Sequence, residues 1–141
     1  MYRWKERLAR EEGFTLIELL VVVAIIGILL AIAIPSYLGF KDSANQRAAS
    51  ADVRAAIPDA EQFIADSPTG NYNGMDAGGA PWAALQNYDK GLSTDINVVK
   101  VYGAGKDTYC IEATVAGKFS SVTRGAAALA AGKVQEGVHC A

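Results

Sequence analysis

The chain has 141 residues, of which 51% are hydrophobic and 20% charged, with 13 basic and 15 acidic side chains. This length suits one compact domain with an appendage and excludes a multidomain enzyme. The charge balance excludes a basic nucleic-acid-binding module, and the apolar content excludes a disordered acidic tail. DNA is a possible partner through local patches such as Lys100 and Lys106, but nothing in the sequence indicates it.

Apolar residues are concentrated between Phe14 and Ile34, where 21 residues contain a single ionisable side chain, Glu18. As a helix this segment would be about 31 Å long, which matches the ~30 Å hydrocarbon core of a bilayer. The basic side chains of residues 1–13 predict a cytoplasmic N-terminus, with the region from about Lys41 onward on the outer side. No secretory cleavage site follows the apolar segment, so we expect it to stay attached.

The two cysteines, Cys110 and Cys140, lie near the C-terminus and lack C-x-x-C spacing. The single histidine, His139, cannot complete a metal site with them, so we expect no metal and no other cofactor. A structural disulfide is the favoured interpretation, and it would place this region outside the reducing cytosol. The alternative is a pair of buried free thiols.

Between Asp42 and Asp66, apolar and small residues recur at three- and four-residue spacing, which predicts an amphipathic helix. Together with the apolar segment it would form one helix of about 53 residues, from Phe14 to Asp66. We expect this helix to be broken or bent at Pro35 and Pro58, because proline lacks the amide donor that a helix needs.

The second half of the chain has the pattern of a small sheet. A glycine- and proline-rich loop, residues 67–81, precedes one expected helical turn at residues 82–88. Three alternating segments then predict an antiparallel meander with strands at residues 96–102, 109–115 and 118–123. The expected fold class is α+β, with a long N-terminal helix, membrane-spanning in its first half, packed on a small antiparallel sheet.

A specific motif lies where the polar N-terminus meets the apolar segment. Residues 13–20 read GFTLIELL, with a glycine and an aromatic residue before the apolar run and Glu18 four positions after the aromatic. This motif resembles the class III signal of type IV prepilins and pseudopilins. The resemblance implies that a membrane-bound prepilin peptidase cuts between Gly13 and Phe14 and methylates the new amino group of Phe14. One departure is Glu12, where the family usually has Lys or Arg.

The same resemblance implies a division of the chain into a leader (1–13), a transmembrane and filament-core helix (14–40) and an extracytoplasmic pilin head (41–141). The position of the expected disulfide resembles that of the C-terminal disulfide loop of type IV pilins. The resemblance also extends through Gly27 and Pro35. We expect both residues to weaken the helix, and in some pilus filaments the corresponding stretch is extended.

Glu18 would lie in or near the hydrocarbon, where a charged carboxylate costs about 2.5–3.5 kcal/mol. The resemblance implies that Glu18 of one subunit neutralises the amino group of Phe14 on its neighbour, which removes this cost and fixes the stagger between helices. The alternative is that Glu18 lies near enough to the helix start to reach the membrane surface.

The function that the resemblance implies is structural. The chain would be anchored in the cytoplasmic membrane as a precursor and then join a helical homo-oligomer, a type IV pilus on the cell surface. Its partners would be the prepilin peptidase, the pilus assembly machinery and, as candidates, minor pilins. No catalytic motif stands out, so we do not expect an enzyme. The alternatives are a minor pilin or pseudopilin of a type II secretion or DNA-uptake system, and a membrane-anchored binding domain that does not polymerise.

Overall fold

The computed structural model describes residues 13–77, 80–125 and 133–140. Two compact units are present, Met1–Phe40 and Lys41–Ala141, and helix α1 (Leu16–Asp66) contributes to both. A 3-10 helix follows α1, within the stretch where one helical turn was predicted, and then come four strands. These later elements are the 3-10 helix Leu85–Asn87, β1 (Ile96–Tyr102), β2 (Thr108–Val115), β3 (Lys118–Gly125) and β4 (Gln135–Glu136).

Helix α1 is continuous over 51 residues, so the prediction of one long helix is confirmed. The expected break at Pro35 or Pro58 is wrong, because the helical assignment passes through both prolines. Next to Pro35, the hydroxyl of Ser36 donates to the carbonyl of Ile32 at 3.3 Å, whereas the carbonyl that lacks its amide donor because of Pro35 is that of Ala31. Pro58 lies between helix residues that are fully buried against the sheet, and this packing holds the helix there.

The sheet is antiparallel throughout, with strand order β1-β2-β3-β4. Strands β2 and β3 are joined by a two-residue turn, Ala116 and Gly117, whose φ angles of 48° and 81° are both positive, as in a type I′ hairpin. The predicted three-stranded meander is therefore confirmed, and the structure adds a fourth strand. Strand β4 pairs with β3 through Ser120 and Ser121.

The core of the second unit lies between the sheet and the C-terminal half of α1. The helix presents Ala49, Val53, Ala56 and Ala60, all with no exposed surface. Buried residues of the loop and the strands complete the core, among them Tyr72, Met75, Leu85, Ile96, Tyr109, Ile111 and Val122.

Polar contacts fix the helix along the sheet at two points. Near the start of this unit, the amide of Gln46 donates to the carbonyl of Phe119 and the hydroxyl of Ser120, each at 2.8 Å. Near the end of the helix, the hydroxyl of Tyr109 donates to Glu61 at 3.1 Å. Burial, together with the neighbouring Glu61 carboxylate, raises the pKa of Tyr109, so this phenol keeps its proton.

Asp59 is a buried acidic residue on the helix face that packs in the second unit. It is 7% exposed, and its Oδ2 atom has no hydrogen-bond partner among the described residues. Burial, and secondarily the charge of Asp89, raises the pKa of Asp59 above its ordinary value. Ionisation is therefore less favourable in the folded chain than in the unfolded chain, and charged Asp59 opposes folding at neutral pH.

We expect Asp59→Asn to raise the free energy of unfolding by about 1 kcal/mol at pH 7, since the amide keeps the size of the side chain but has no charge to desolvate. The gain should shrink as the pH falls through the raised pKa of Asp59 and vanish where the acid is protonated in both states. Urea titrations from pH 3 to 8 measure this. The exposed Asp66→Asn is the control and should change the free energy of unfolding by about a few tenths of a kcal/mol. An equal gain for Asp59→Asn at pH 3 and pH 7 would contradict the conclusion that the charge of Asp59 opposes folding.

Candidate assembly site

The N-terminus of helix α1 is capped by three hydrogen bonds between Thr15 and Glu18. The Glu18 carboxylate accepts from the backbone N–H of Thr15 at 2.9 Å and from its hydroxyl at 2.6 Å. In return, the Thr15 hydroxyl accepts from the backbone N–H of Glu18 at 3.3 Å. This is a capping box, which satisfies amides that the first turn of a helix leaves free. Glu18 therefore has a role within its own chain that the sequence analysis missed.

A shallow, open groove lies beside the capping box. Its lining is apolar apart from one carboxylate and consists of Phe14, Ile17, Glu18, Val21 and Val22. Phe14 is 88% exposed, so its aromatic ring is not packed against the rest of the chain. A groove of this kind can bind an apolar side chain and, at the carboxylate, a cation of a partner.

The apolar segment that follows is not buried by any other described part of the chain. Every residue from Gly13 to Phe40 is exposed. Its helix contains an 18-residue window of mean hydropathy 3.1, none of it buried, and by length and composition it can cross a membrane. Exposed apolar surface on this scale marks a membrane or an interface between proteins.

Gly27 lies within this exposed helix. A Cβ atom built at Gly27 meets nothing within 4 Å, so packing inside the chain does not require glycine at this position. The stretch from Gly27 to Pro35 is helical in the single chain. The prediction that these two residues loosen the helix concerns the filament, and it stays a prediction.

The two cysteines of the second unit form a disulfide, Cys110–Cys140, with Cα atoms 5.8 Å apart. Both residues are buried, at 2% and 9% exposure. The alternative of two free thiols is therefore wrong. Across the described ranges, no three His, Cys, Asp or Glu side chains are grouped in a way that could hold a metal ion.

The residues singled out from the sequence thus fall into two groups. Gly13, Phe14 and Glu18 lie together at the start of the first unit, whereas the cysteines lie in the second. Sequence reasoning missed Thr15, although the T-x-x-E spacing before an apolar run is a known signal for a helix start.

Comparison with known proteins places this N-terminal region in a family. A family model for the prokaryotic N-terminal methylation motif matches residues 8–34. The type IV narrow pilus major component PilA5 of Thermus thermophilus is 41% identical over 91 residues, which cover 55% of this chain and 74% of that protein. The type IV wide pilus major component PilA4 of the same organism is 36% identical over 102 residues, covering 71% and 70%. The chain belongs to the type IV pilin family.

Similarity of this pilin to secretion proteins is shorter. The type II secretion system core protein G of Aeromonas hydrophila is 44% identical over 46 residues, which cover 33% of the pilin and 32% of that protein. The longer matches are thus to pilus components. The resemblance to type IV prepilins, inferred above from residues 13–20, is confirmed.

Proposed function

We propose that this pilin is a structural subunit that polymerises into a surface filament through its N-terminal helix. The observation that carries the proposal is the exposed apolar helix, which begins at a capped carboxylate and has no buried residue between positions 13 and 40. Capping alone does not require the charge of Glu18, since glutamine also closes a capping box, and in a plain membrane anchor the charge makes insertion less favourable. Similarity to major pilus components supports the same conclusion.

Before assembly, the helix holds the precursor in the cytoplasmic membrane. The basic residues of the leader keep the N-terminus in the cytoplasm, and the head, residues 41–141, lies on the outer side. Prepilin peptidase cuts between Gly13 and Phe14 and methylates the new amine. The match to the N-terminal methylation motif, which spans this junction, supports this step.

In the filament, the apolar helices of neighbouring subunits bury one another, which supplies the cohesion. The processed amino group of Phe14 binds the Glu18 carboxylate of an adjoining subunit and sets the stagger between helices. The groove around Glu18 supports this arrangement, since it combines an exposed apolar surface with a carboxylate. The disulfide-bonded head then forms the outer surface.

A second candidate is a pseudopilin of a type II secretion system, favoured by the similarity to core protein G over a third of the chain. The two candidates differ in their product, because a pilus subunit is recovered in filaments sheared from the cell surface. Both candidates would use the same residues at the start of the helix and the same cleavage after Gly13.

The test is to shear filaments from cells that express this chain, and to determine the N-terminal residue of the purified subunit by mass spectrometry. We expect filaments visible by electron microscopy whose subunit begins at methylated Phe14. Cells lacking the chain are the control and should yield none. Subunits that retain residues 1–13 in filaments would contradict the proposal, as would a chain that is processed but never recovered outside the cell.

A further inference from the structure

The last described residues, Gly137 to Cys140, lie across one face of the sheet, and we call them the C-terminal segment. The segment is attached to β3 by two hydrogen bonds. The backbone N–H of Gly137 donates to the carbonyl of Phe119 at 3.0 Å, and the hydroxyl of Ser121 donates to the carbonyl of Val138 at 2.7 Å.

The segment continues over β2 and reaches β1. The backbone N–H of Cys140 donates to Glu112 Oε2 at 2.9 Å, and Nδ1 of His139 lies 3.0 Å from Glu112 Oε1. On β1, the ammonium group of Lys100 donates to the carbonyl of Cys140 at 3.3 Å. Each residue of the segment is therefore hydrogen-bonded to a strand, without counting the disulfide.

The ring of His139 adds an apolar contact to these bonds. It stacks on the ring of Phe119, with centroids 3.7 Å apart and planes inclined by 16°. Close contact between the faces of two rings adds many favourable van der Waals contacts. The segment is thus held by both polar and aromatic contacts to β3 and β2.

Glu112 is central to this attachment. Its side chain is 4% exposed, and both of its carboxylate oxygens contact the C-terminal segment. A buried carboxylate requires hydrogen-bond donors, and bonds to a charged acceptor are the stronger ones. Glu112 also lies two residues after Cys110, so the two side chains are on the same face of β2.

We propose that Glu112 is a positioning residue for the disulfide. It holds the C-terminal segment on the sheet, and with it the Cys140 thiol beside Cys110, before the cysteines are oxidised. In the oxidation, the two thiols transfer two electrons and two protons to a disulfide oxidant RS–SR, which yields the Cys110–Cys140 bond and two RSH. The disulfide then locks an arrangement that the hydrogen bonds have already formed. This inference does not depend on the proposed filament.

The first test removes the disulfide. In the full chain in detergent, the double variant Cys110→Ser with Cys140→Ser keeps the backbone N–H at position 140. We expect hydrogen–deuterium exchange of a peptide covering residues 133–141 to remain slow in this variant, and to become at least tenfold faster when Glu112→Ala is added. Equal exchange with and without Glu112→Ala would overturn the proposal.

The second test measures how readily the disulfide forms. The full chain is equilibrated with reduced and oxidised glutathione, and the bonded fraction is counted by mass spectrometry after thiol trapping. We expect Glu112→Ala to lower the effective concentration of the two thiols at least tenfold, and Glu112→Gln, which keeps the size and an oxygen acceptor, to lower it less. The control Asp66→Asn changes an exposed carboxylate at the end of α1 that makes none of these contacts, and it should leave the value unchanged.

If the alanine variant does not fold, Glu112→Gln carries the same test, with circular dichroism to show that it is folded. A folded Glu112→Gln with a lowered effective concentration supports the proposal. A folded Glu112→Gln that matches the unaltered chain overturns it, because the charge of the carboxylate would then contribute nothing to the position of Cys140.

Discussion

Cells in which Glu18→Leu is the only version of the subunit should contain at least as much membrane-bound chain as normal cells and yield almost no sheared filaments. Leucine removes a charge whose insertion costs about 2.5–3.5 kcal/mol, so anchoring improves. In the proposed filament, the neighbouring Phe14 amine would lose its counter-charge in an apolar bundle, and breaking such a buried pair costs about 3–5 kcal/mol. Anchoring and polymerisation should therefore change in opposite directions, as measured by membrane fractionation and filament yield.

Two further variants separate the charge of Glu18 from its capping role. Glu18→Gln keeps an oxygen that can accept from Thr15 but lacks the charge, so filaments should be lost as with leucine. Thr15→Val keeps the charge and removes the capping hydroxyl, which costs about 0.5–2 kcal/mol of helix stability. Filaments should survive this change in reduced yield. Normal filaments from Glu18→Gln would show that capping, rather than charge pairing, is what assembly requires of this residue.

Gly13→Leu should block processing, so that the uncut precursor accumulates in the membrane and filaments are absent. A Cβ built at Gly13 meets nothing within 4 Å, so leucine is accommodated within the chain itself. The effect must therefore arise where the peptidase binds the junction closely. Intact-mass spectrometry of the membrane fraction distinguishes the precursor from a chain that begins at Phe14.

Gly13→Ala is the matched control for this prediction. Alanine adds a single methyl group, so processing should continue at a reduced rate, and mature chain should still be found. Efficient cleavage of Gly13→Leu would contradict the assignment of Gly13 as the residue before the cut and would leave Glu18 as the main support for an assembling subunit.

The periodic spacing of apolar residues along the chain predicted most of the fold. The three- and four-residue spacing of small and apolar residues identified the buried helix face, including Val53 and Ala60. Alternation identified β1 to β3 to within a few residues of their observed ends. Each pattern arises because one helix or strand buries one of its faces. The residues of that element alone are therefore enough to predict it.

The features that the sequence did not predict depend on contacts between distant parts of the chain. Strand β4 has two residues and no alternation to detect, and it exists only through pairing with β3. Glu112 occupies a polar position of an alternating strand, yet it is buried because the C-terminal segment covers that face. Asp59 is a charged residue within an amphipathic helix, yet it too is buried. No local pattern shows which surface a distant segment will cover.

The candidate site was predictable in part, because the motif of residues 13–20 is specific. Glu18 was found from the cost of its charge in an apolar segment, and Cys110 and Cys140 from their isolation. The capping role of Glu18 was not predicted, although it is a local feature that the spacing from Thr15 to Glu18 indicates. His139 was considered only as a metal ligand, whereas in the structure it contacts Glu112.

Cleavage after Gly13 would leave Thr15 as the second residue of the mature chain, so the Thr15–Glu18 bonds can survive processing. The Glu18 carboxylate then has donors of its own before any neighbour arrives. When a neighbour's amine binds, the carboxylate exchanges one set of donors for another, and the net gain is the difference between two satisfied states. In the proposed filament, the free energy gained at this contact by each added subunit is therefore smaller than the cost of removing one partner from an assembled pair.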